Sequence, residues 1–215
     1  MERTLYYLRL FPGTEERYDE IHRIVPGAVA RGMTDAGLGN VCGFRRGTDV
    51  WWYAEAEPDR ATAFSRVGKG VVNRRWGHQF RDIIAEIEAP EGGQIWYDEI
   101  FNTDAPTPEG PFERGLFSLV IDPHQADRYD QLHADPWPEM LRAIAEAGCR
   151  DYTGFRRGAH VVYVGHYYPD FDTVIDRINA TAVAARWGAA LEGVITTFVG
   201  ADGRNLTARE IYHQA

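Results

Sequence analysis

Cysteine is scarce in this chain: Cys42 and Cys149 are the only two in 215 residues. So few thiols exclude the disulfide framework of a small secreted domain, and both are expected to be reduced in a cytoplasmic protein. Basic charge is also short. Lys and Arg number 23 against 32 Asp and Glu, a net charge of −9. No basic stripe offsets that balance, so a nucleic-acid partner is not expected. No apolar run reaches the roughly 18 residues of a membrane span. The stretch Met1-Glu2-Arg3-Thr4-Leu5-Tyr6-Tyr7 lacks the apolar run and cleavage site of a secretion signal. Neither His78, His124, His160, His166 nor His213 has metal-ligand spacing or flanking carboxylates, so no metal is implied. Nucleophile elbows, phosphate loops and dinucleotide fingerprints are missing too, and the sequence implies no cofactor.

What the chain does have is a repeat. Tyr18-Asp19-Glu20-Ile21-His22 returns as Tyr129-Asp130-Gln131-Leu132-His133, 111 residues later. The same shift lays Gly43-Phe44-Arg45-Arg46-Gly47 on Gly154-Phe155-Arg156-Arg157-Gly158, and Arg75-Trp76-Gly77 on Arg186-Trp187-Gly188. It holds without a gap from Arg3 over Arg114 to Phe101 over Tyr212. The chain is a tandem duplication: residues 1–102 and 113–215 are the repeats, and the proline-rich residues 103–112 are a linker. Forty-four per cent hydrophobic and 13% aromatic residues are enough to give each repeat a core.

Within the first repeat, residues 4–11 read as a strand, followed by a helix from an N-cap at Thr14 to about Ala36. Val41–Arg46 and Val50–Glu57 read as a hairpin turning at Gly47-Thr48-Asp49. A helical region from Arg60 to about Ile87 is broken near Gly68-Lys69-Gly70, and Gln94–Asn102 is a fourth strand. The second repeat follows suit: a strand over 115–121, a helix over 123–147, a hairpin over 150–168, helices over 171–194 and a strand over 206–213. The order β-α-β-β-α-β is ferredoxin-like, so the fold class is α+β. Each sheet has one face without helices, and two such faces packed together predict a pseudo-symmetric barrel within one chain.

Chemistry is expected where the copies agree on polar residues. Tyr18 and His22 lie four apart and share a helix face with Val25 and Val29, as Tyr129 and His133 do with Trp137 and Leu141. An inward histidine is an ordinary core residue, but the retention of Tyr and His together in both copies favours a proton-transfer site. Trp76 and Trp187 offer a flat ring and one N–H donor, suited either to stacking or to core packing. Tyr152 adds a hydroxyl that its partner Val41 cannot supply. The arginine pairs after Phe44 and Phe155 read most simply as solvated strand ends.

With Tyr-x-x-x-His on the first helix, Trp137-Pro138-Glu139 after it, an aromatic strand and Arg-Trp on the last helix, the chain resembles the L-rhamnose mutarotase family. The resemblance implies a dimeric-type α+β barrel and an isomerase that opens and recloses the ring of a deoxy-sugar. It makes His133 the acid/base catalyst, with Tyr129, Tyr152, Trp187 and Trp137 as substrate contacts. In the first half the matching residues are His22, Tyr18 and Trp76. Where the family has tandem tryptophans this chain has Trp76-Gly77 and Trp187-Gly188, and the first half has Pro26 and Val41 where the second has Trp137 and Tyr152. Such apolar changes, with Trp51-Trp52 and Tyr167-Tyr168, favour another reading: a cofactor-free cyclase, isomerase or oxygenase of aromatic or polyketide molecules. Binding of a small ligand without catalysis is a third. The expected partner in each case is a small molecule, and a homo-oligomer would add to a barrel already paired within the chain.

Overall fold

Pro26 divides what the sequence predicts as one long helix. A residue before proline is pushed out of the helical region, so in this computed structural model α1 (Glu15–Arg23) stops short and α2 (Gly27–Ala36) starts afresh. Pro136 and Pro138 do the same between α5 (Ala126–Ala134) and α6 (Pro138–Ala147), Pro138 occupying the first turn where its missing N–H costs nothing. Residues 1–103, 105, 109–198 and 207–215 are described. Residues 104 and 106–108 of the expected linker, and Leu206 of the expected last strand, lie outside them.

Thr14 does precede α1, but its hydroxyl donates to the Phe11 carbonyl at 2.7 Å instead of capping the helix. The caps that form belong to the later helices. Asp59 accepts from the Thr62 N–H at the start of α3 (Arg60–Lys69), and Asp170 from the Thr173 N–H at the start of α7 (Phe171–Asn179). Both α2 and α6 end on a left-handed glycine, Gly37 and Gly148. A Cβ there would lie 2.1 Å from the Glu57 carbonyl oxygen and 2.5 Å from that of Tyr168, so only glycine fits.

The first hairpin is β2 (Leu38–Arg46) and β3 (Asp49–Ala56), and the second is β7 (Cys149–Arg157) and β8 (His160–Tyr167). The helical region after α3 is shorter than the sequence suggests. After α4 (Val71–Gly77) and a short turn of 3-10 helix, Ile84–Glu86 is a strand, β4, against β1 (Glu2–Leu10). Its counterpart, β9 (Ile195–Phe198), follows α8 (Ala182–Ala190) and pairs with β6 (Glu113–Ile121). Strands of three and four residues are too short for periodicity to reveal.

Two compact units result: residues 1–97 with 209–215, and residues 98–208. They do not coincide with the sequence repeats because the last strand of each repeat serves both units. Of β5 (Ile95–Thr103), Ile95–Tyr97 pairs with β1 in the first unit and Asp98–Thr103 with β7 in the second. Of β10 (Thr207–Gln214), Thr207 and Ala208 pair with β6 in the second unit and Arg209–Gln214 with β2 in the first. Each unit thus has the antiparallel order of a ferredoxin-like sheet, extended at its β2 or β7 edge by a strand of the other repeat. Edge pairing of this kind satisfies backbone groups that would otherwise recruit foreign strands.

The first arginine of each hairpin pair is not a solvated end. Arg45 Nε and Nη2 donate to the two Asp19 carboxylate oxygens at 2.7 and 2.6 Å, with Arg209 of β10 on the same carboxylate. In the second unit Arg156 holds Asp130 in the same way, through Nε at 2.8 Å. These forks pin α1 to β2 and α5 to β7. Both cysteines are buried, and neither forms a disulfide.

Candidate functional site

Each unit contains one cavity with the repeated tyrosine and histidine on its wall. His22 Nδ1 lies 2.9 Å from the Tyr18 carbonyl oxygen, and His133 Nδ1 lies 2.8 Å from that of Tyr129. A carbonyl can only accept, so Nδ1 carries the proton and Nε2 of the neutral ring offers a lone pair. Burial lowers the His22 pKa to about 4, and also lowers that of His133. The backbone hydrogen bond, then Asp19 or Asp130, oppose that shift and are outweighed. At neutral pH both rings are bases with one free nitrogen.

The tyrosines are fixed from the strand behind them. In the first unit Trp52 of β3 donates its indole N–H to the Tyr18 hydroxyl at 2.9 Å. In the second the hydroxyls of Tyr129 and Tyr163, on β8, are 2.6 Å apart. Trp52 and Tyr163 are repeat equivalents; the sequence marked Trp52 only as half of an aromatic pair and did not single out Tyr163. Of Trp51-Trp52, only Trp52 lines the cavity; Trp51 faces the other way and packs on Tyr7 at 5.8 Å.

The second cavity measures about 670 Å³. Trp187 meets His133 edge-on at 5.4 Å, Tyr152 stacks on Tyr163 at 5.0 Å, and Phe101 of β5 closes another side. Burial raises the Tyr152 and Tyr163 hydroxyls well above their ordinary range, so both remain protonated donors. Trp137 is not on the cavity wall. It stands against Trp187 at 5.2 Å and 90°, with the Arg186 guanidinium 5.0 Å over its ring. The expected contacts Tyr129, Tyr152 and Trp187 are therefore gathered around His133, and Trp137 supports one of them.

The first cavity is smaller, about 270 Å³. Phe80 lies parallel to the His22 ring at 5.1 Å, Trp76 meets it edge-on at 6.4 Å, and Val41 stands where the second unit has Tyr152. Tyr212 of β10 takes the place that Phe101 has in the second cavity and packs on Trp52 at 5.8 Å. Phe80 and the pair Phe101/Tyr212 were missed in the sequence. Phe80 falls in the turn after α4, and the other two follow only from the strand exchange. Among the described residues no group of three or more His, Cys, Asp or Glu is placed to hold a metal ion, and no described helix could cross a membrane.

Comparison with known proteins agrees with the duplication. The family model described as L-rhamnose mutarotase matches the chain twice, over residues 3–103 and 114–214. An L-rhamnose mutarotase from Burkholderia ambifaria is 29% identical over 87 residues, 40% of this chain and 82% of that protein. Another from Acidiphilium cryptum is 26% identical over 114 residues, 47% of this chain and 97% of that protein. At full length, a crystal structure of a monooxygenase-like protein from Lactobacillus acidophilus superposes with a TM-score of 0.60 at 9% identity. It covers 100% of this chain and 97% of that one, a likeness of fold alone. The fold class is α+β, two ferredoxin-like repeats of the dimeric α+β barrel type fused in one chain.

Proposed function

The chain belongs to the L-rhamnose mutarotase family, and from that premise we propose that its second repeat interconverts the α and β anomers of an aldose or deoxy-aldose. The observation that carries this reading is the neutral His133 ring, anchored through Nδ1 and open at Nε2 to an aromatic-walled cavity. Ring opening takes a proton from the anomeric hydroxyl while the bond from C1 to the ring oxygen breaks and the ring oxygen gains a proton. His133 Nε2 takes the first proton, and the imidazolium so formed is the acid that supplies the second. Rotation about the bond next to C1 and the reverse steps give the other anomer, with no net change in protons. A base of this kind contributes about 10²- to 10⁴-fold. Trp187 offers the sugar ring a flat face and Tyr152 a hydroxyl donor, while Trp137 keeps Trp187 upright.

Saturation-exchange NMR on L-rhamnose and related aldoses tests the reading. Faster anomer exchange with wild type and its loss in His133→Ala are expected; no acceleration, or equal rates for the two proteins, would overturn it. Chemistry on a flat aromatic molecule, the other reading of the sequence, draws its support from the first cavity, where Val41 and Phe80 give a sugar no hydrogen-bond partner.

A further inference from the structure

We propose that the first cavity is a binding site for a flat aromatic molecule bearing hydroxyl groups, a phenolic ring system of one or two rings. The proposal does not depend on mutarotation at His133, because every residue it uses belongs to the first unit. The walls come first. Relative to the second cavity, Trp52 replaces Tyr163, Phe80 replaces Leu191 and Val41 replaces Tyr152. The space falls from about 670 to about 270 Å³, room for a small ring system enclosed by other rings.

The tyrosines and Trp76 on the wall supply donors, and two other side chains supply acceptors. His22 Nε2 is a hydrogen-bond acceptor, since Nδ1–H is committed to the Tyr18 carbonyl. Asn73, on α4, lines the same cavity, and its Oδ1 is buried without a hydrogen-bond partner. Both acceptors call for a ligand that donates, and a phenol donates more strongly than an alcohol.

Asn73 also has a dedicated place in the packing. It sits against Gly32 of α2, where a Cβ would lie 2.9 Å from Oδ1 and 3.1 Å from Nδ2. Glycine inside a helix is destabilising relative to alanine. The second repeat has Ala143 and Ala184 at these two positions, so it lacks both the glycine and the asparagine. One repeat keeps a weakened helix to seat an amide whose oxygen the protein leaves unbonded. That oxygen is packed against Gly32, so a bound hydroxyl completes it when the amide turns toward the cavity.

The surface beside the site is apolar as well. Ile24, Val71 and Val72 are 80%, 61% and 46% exposed, and they adjoin the cavity residues Val25 and Asn73 in sequence. Their counterparts in the second repeat are Asp135, Ala182 and Val183. An exposed isoleucine in place of an aspartate suits an entering ring and not a sugar.

The test uses the full chain labelled with 5-fluorotryptophan and titrated with 2-naphthol, 2-methoxynaphthalene and L-rhamnose. Binding of 2-naphthol is expected to move the Trp52 and Trp76 resonances and leave Trp137 and Trp187 in place, with L-rhamnose moving neither of the first pair. The methyl ether, which cannot donate, should bind at least tenfold more weakly. So should 2-naphthol to Gly32→Ala/Asn73→Ala, which installs the alanine pair of the second repeat and should fold; Asn73→Ala alone is read the same way if it does not. The proposal is overturned if only the Trp137 and Trp187 signals move, if the ether binds as tightly as the naphthol, or if the variants keep wild-type affinity.

Discussion

Trp52 donates its indole N–H to the Tyr18 hydroxyl at 2.9 Å, and at the equivalent place the Tyr163 and Tyr129 hydroxyls stand 2.6 Å apart. The donor has changed between the repeats and the clamp has not. In both, a hairpin strand grips the helix that carries the histidine, one turn before it. Helices of nine residues have little stability of their own, so this grip and the Asp–Arg forks fix where each imidazole stands.

Tyr163→Phe should therefore destabilise the protein by about 1–3 kcal/mol, the cost of leaving the buried Tyr129 hydroxyl without a partner. Tyr129→Phe/Tyr163→Phe should lose less than the two single variants added together. Urea denaturation of the three proteins measures the coupling directly.

The histidines set the pH response. Folding lowers the His22 pKa to about 4 from its ordinary value near 6.5, so between those values the unfolded chain binds the proton first. Stability from this group is complete above about pH 6.5 and falls as the pH drops toward 4, by up to about 1.4 kcal/mol per unit. His133 is lowered too and acts with the same sign. Anomer exchange that uses neutral His133 should then be flat around pH 7 and decline only on acidification, below the pKa of a free imidazole. Histidine C–H resonances followed from pH 8 to 4 check both expectations.

Asp19 and Asp130 are equivalent in sequence and unequal in burden. The Asp19 side chain is 10% exposed and holds Arg45 and Arg209, whereas that of Asp130 is 34% exposed and holds Arg156. Asp19→Asn should cost about 3–5 kcal/mol, as when one partner is removed from a buried ion pair. Asp130→Asn should cost clearly less. Thermal unfolding of the two variants ranks them.

Much of this was legible in the sequence. A motif repeated at one spacing gives away the duplication, and strand and helix order gives away the ferredoxin-like unit, because both rest on local chemistry. The inward face of Tyr18 and His22 is also local, set by helical spacing. Tyr163 and Phe80 escaped, and Trp52 stood out only as half of an aromatic pair, because their meaning lies in what they touch across the fold: a strand residue opposite a helix, and a ring in a turn. Tyr212 and Phe101 could not have been assigned to their cavities, since nothing in a strand's own residues says that it pairs halfway with one sheet and then with another. The split helices are a different case. Pro26 is visible, but a proline in the middle of an amphipathic stretch is compatible with either a kink or a break.

Tyr152→Val writes the first repeat's residue into the second. If the hydroxyl donates to the sugar, anomer exchange should slow by roughly tenfold, a loss of about 1.4 kcal/mol in transition-state binding. The fold should hold, as Val41 already occupies the equivalent strand position. The exchange rate at saturating and at limiting sugar separates a binding effect from a catalytic one.

The gene's halves and the protein's working parts are cut at different places. Because Asp98–Thr103 and Arg209–Gln214 complete sheets begun elsewhere in the chain, each cavity is finished by a residue inherited with the other half: Phe101 for the second, Tyr212 for the first. Recombination between related genes at the junction of the repeats would exchange those two wall residues along with the halves. An allele that alters ligand preference in the first cavity can thus arise at the codon for Tyr212, with the residues around His22 untouched.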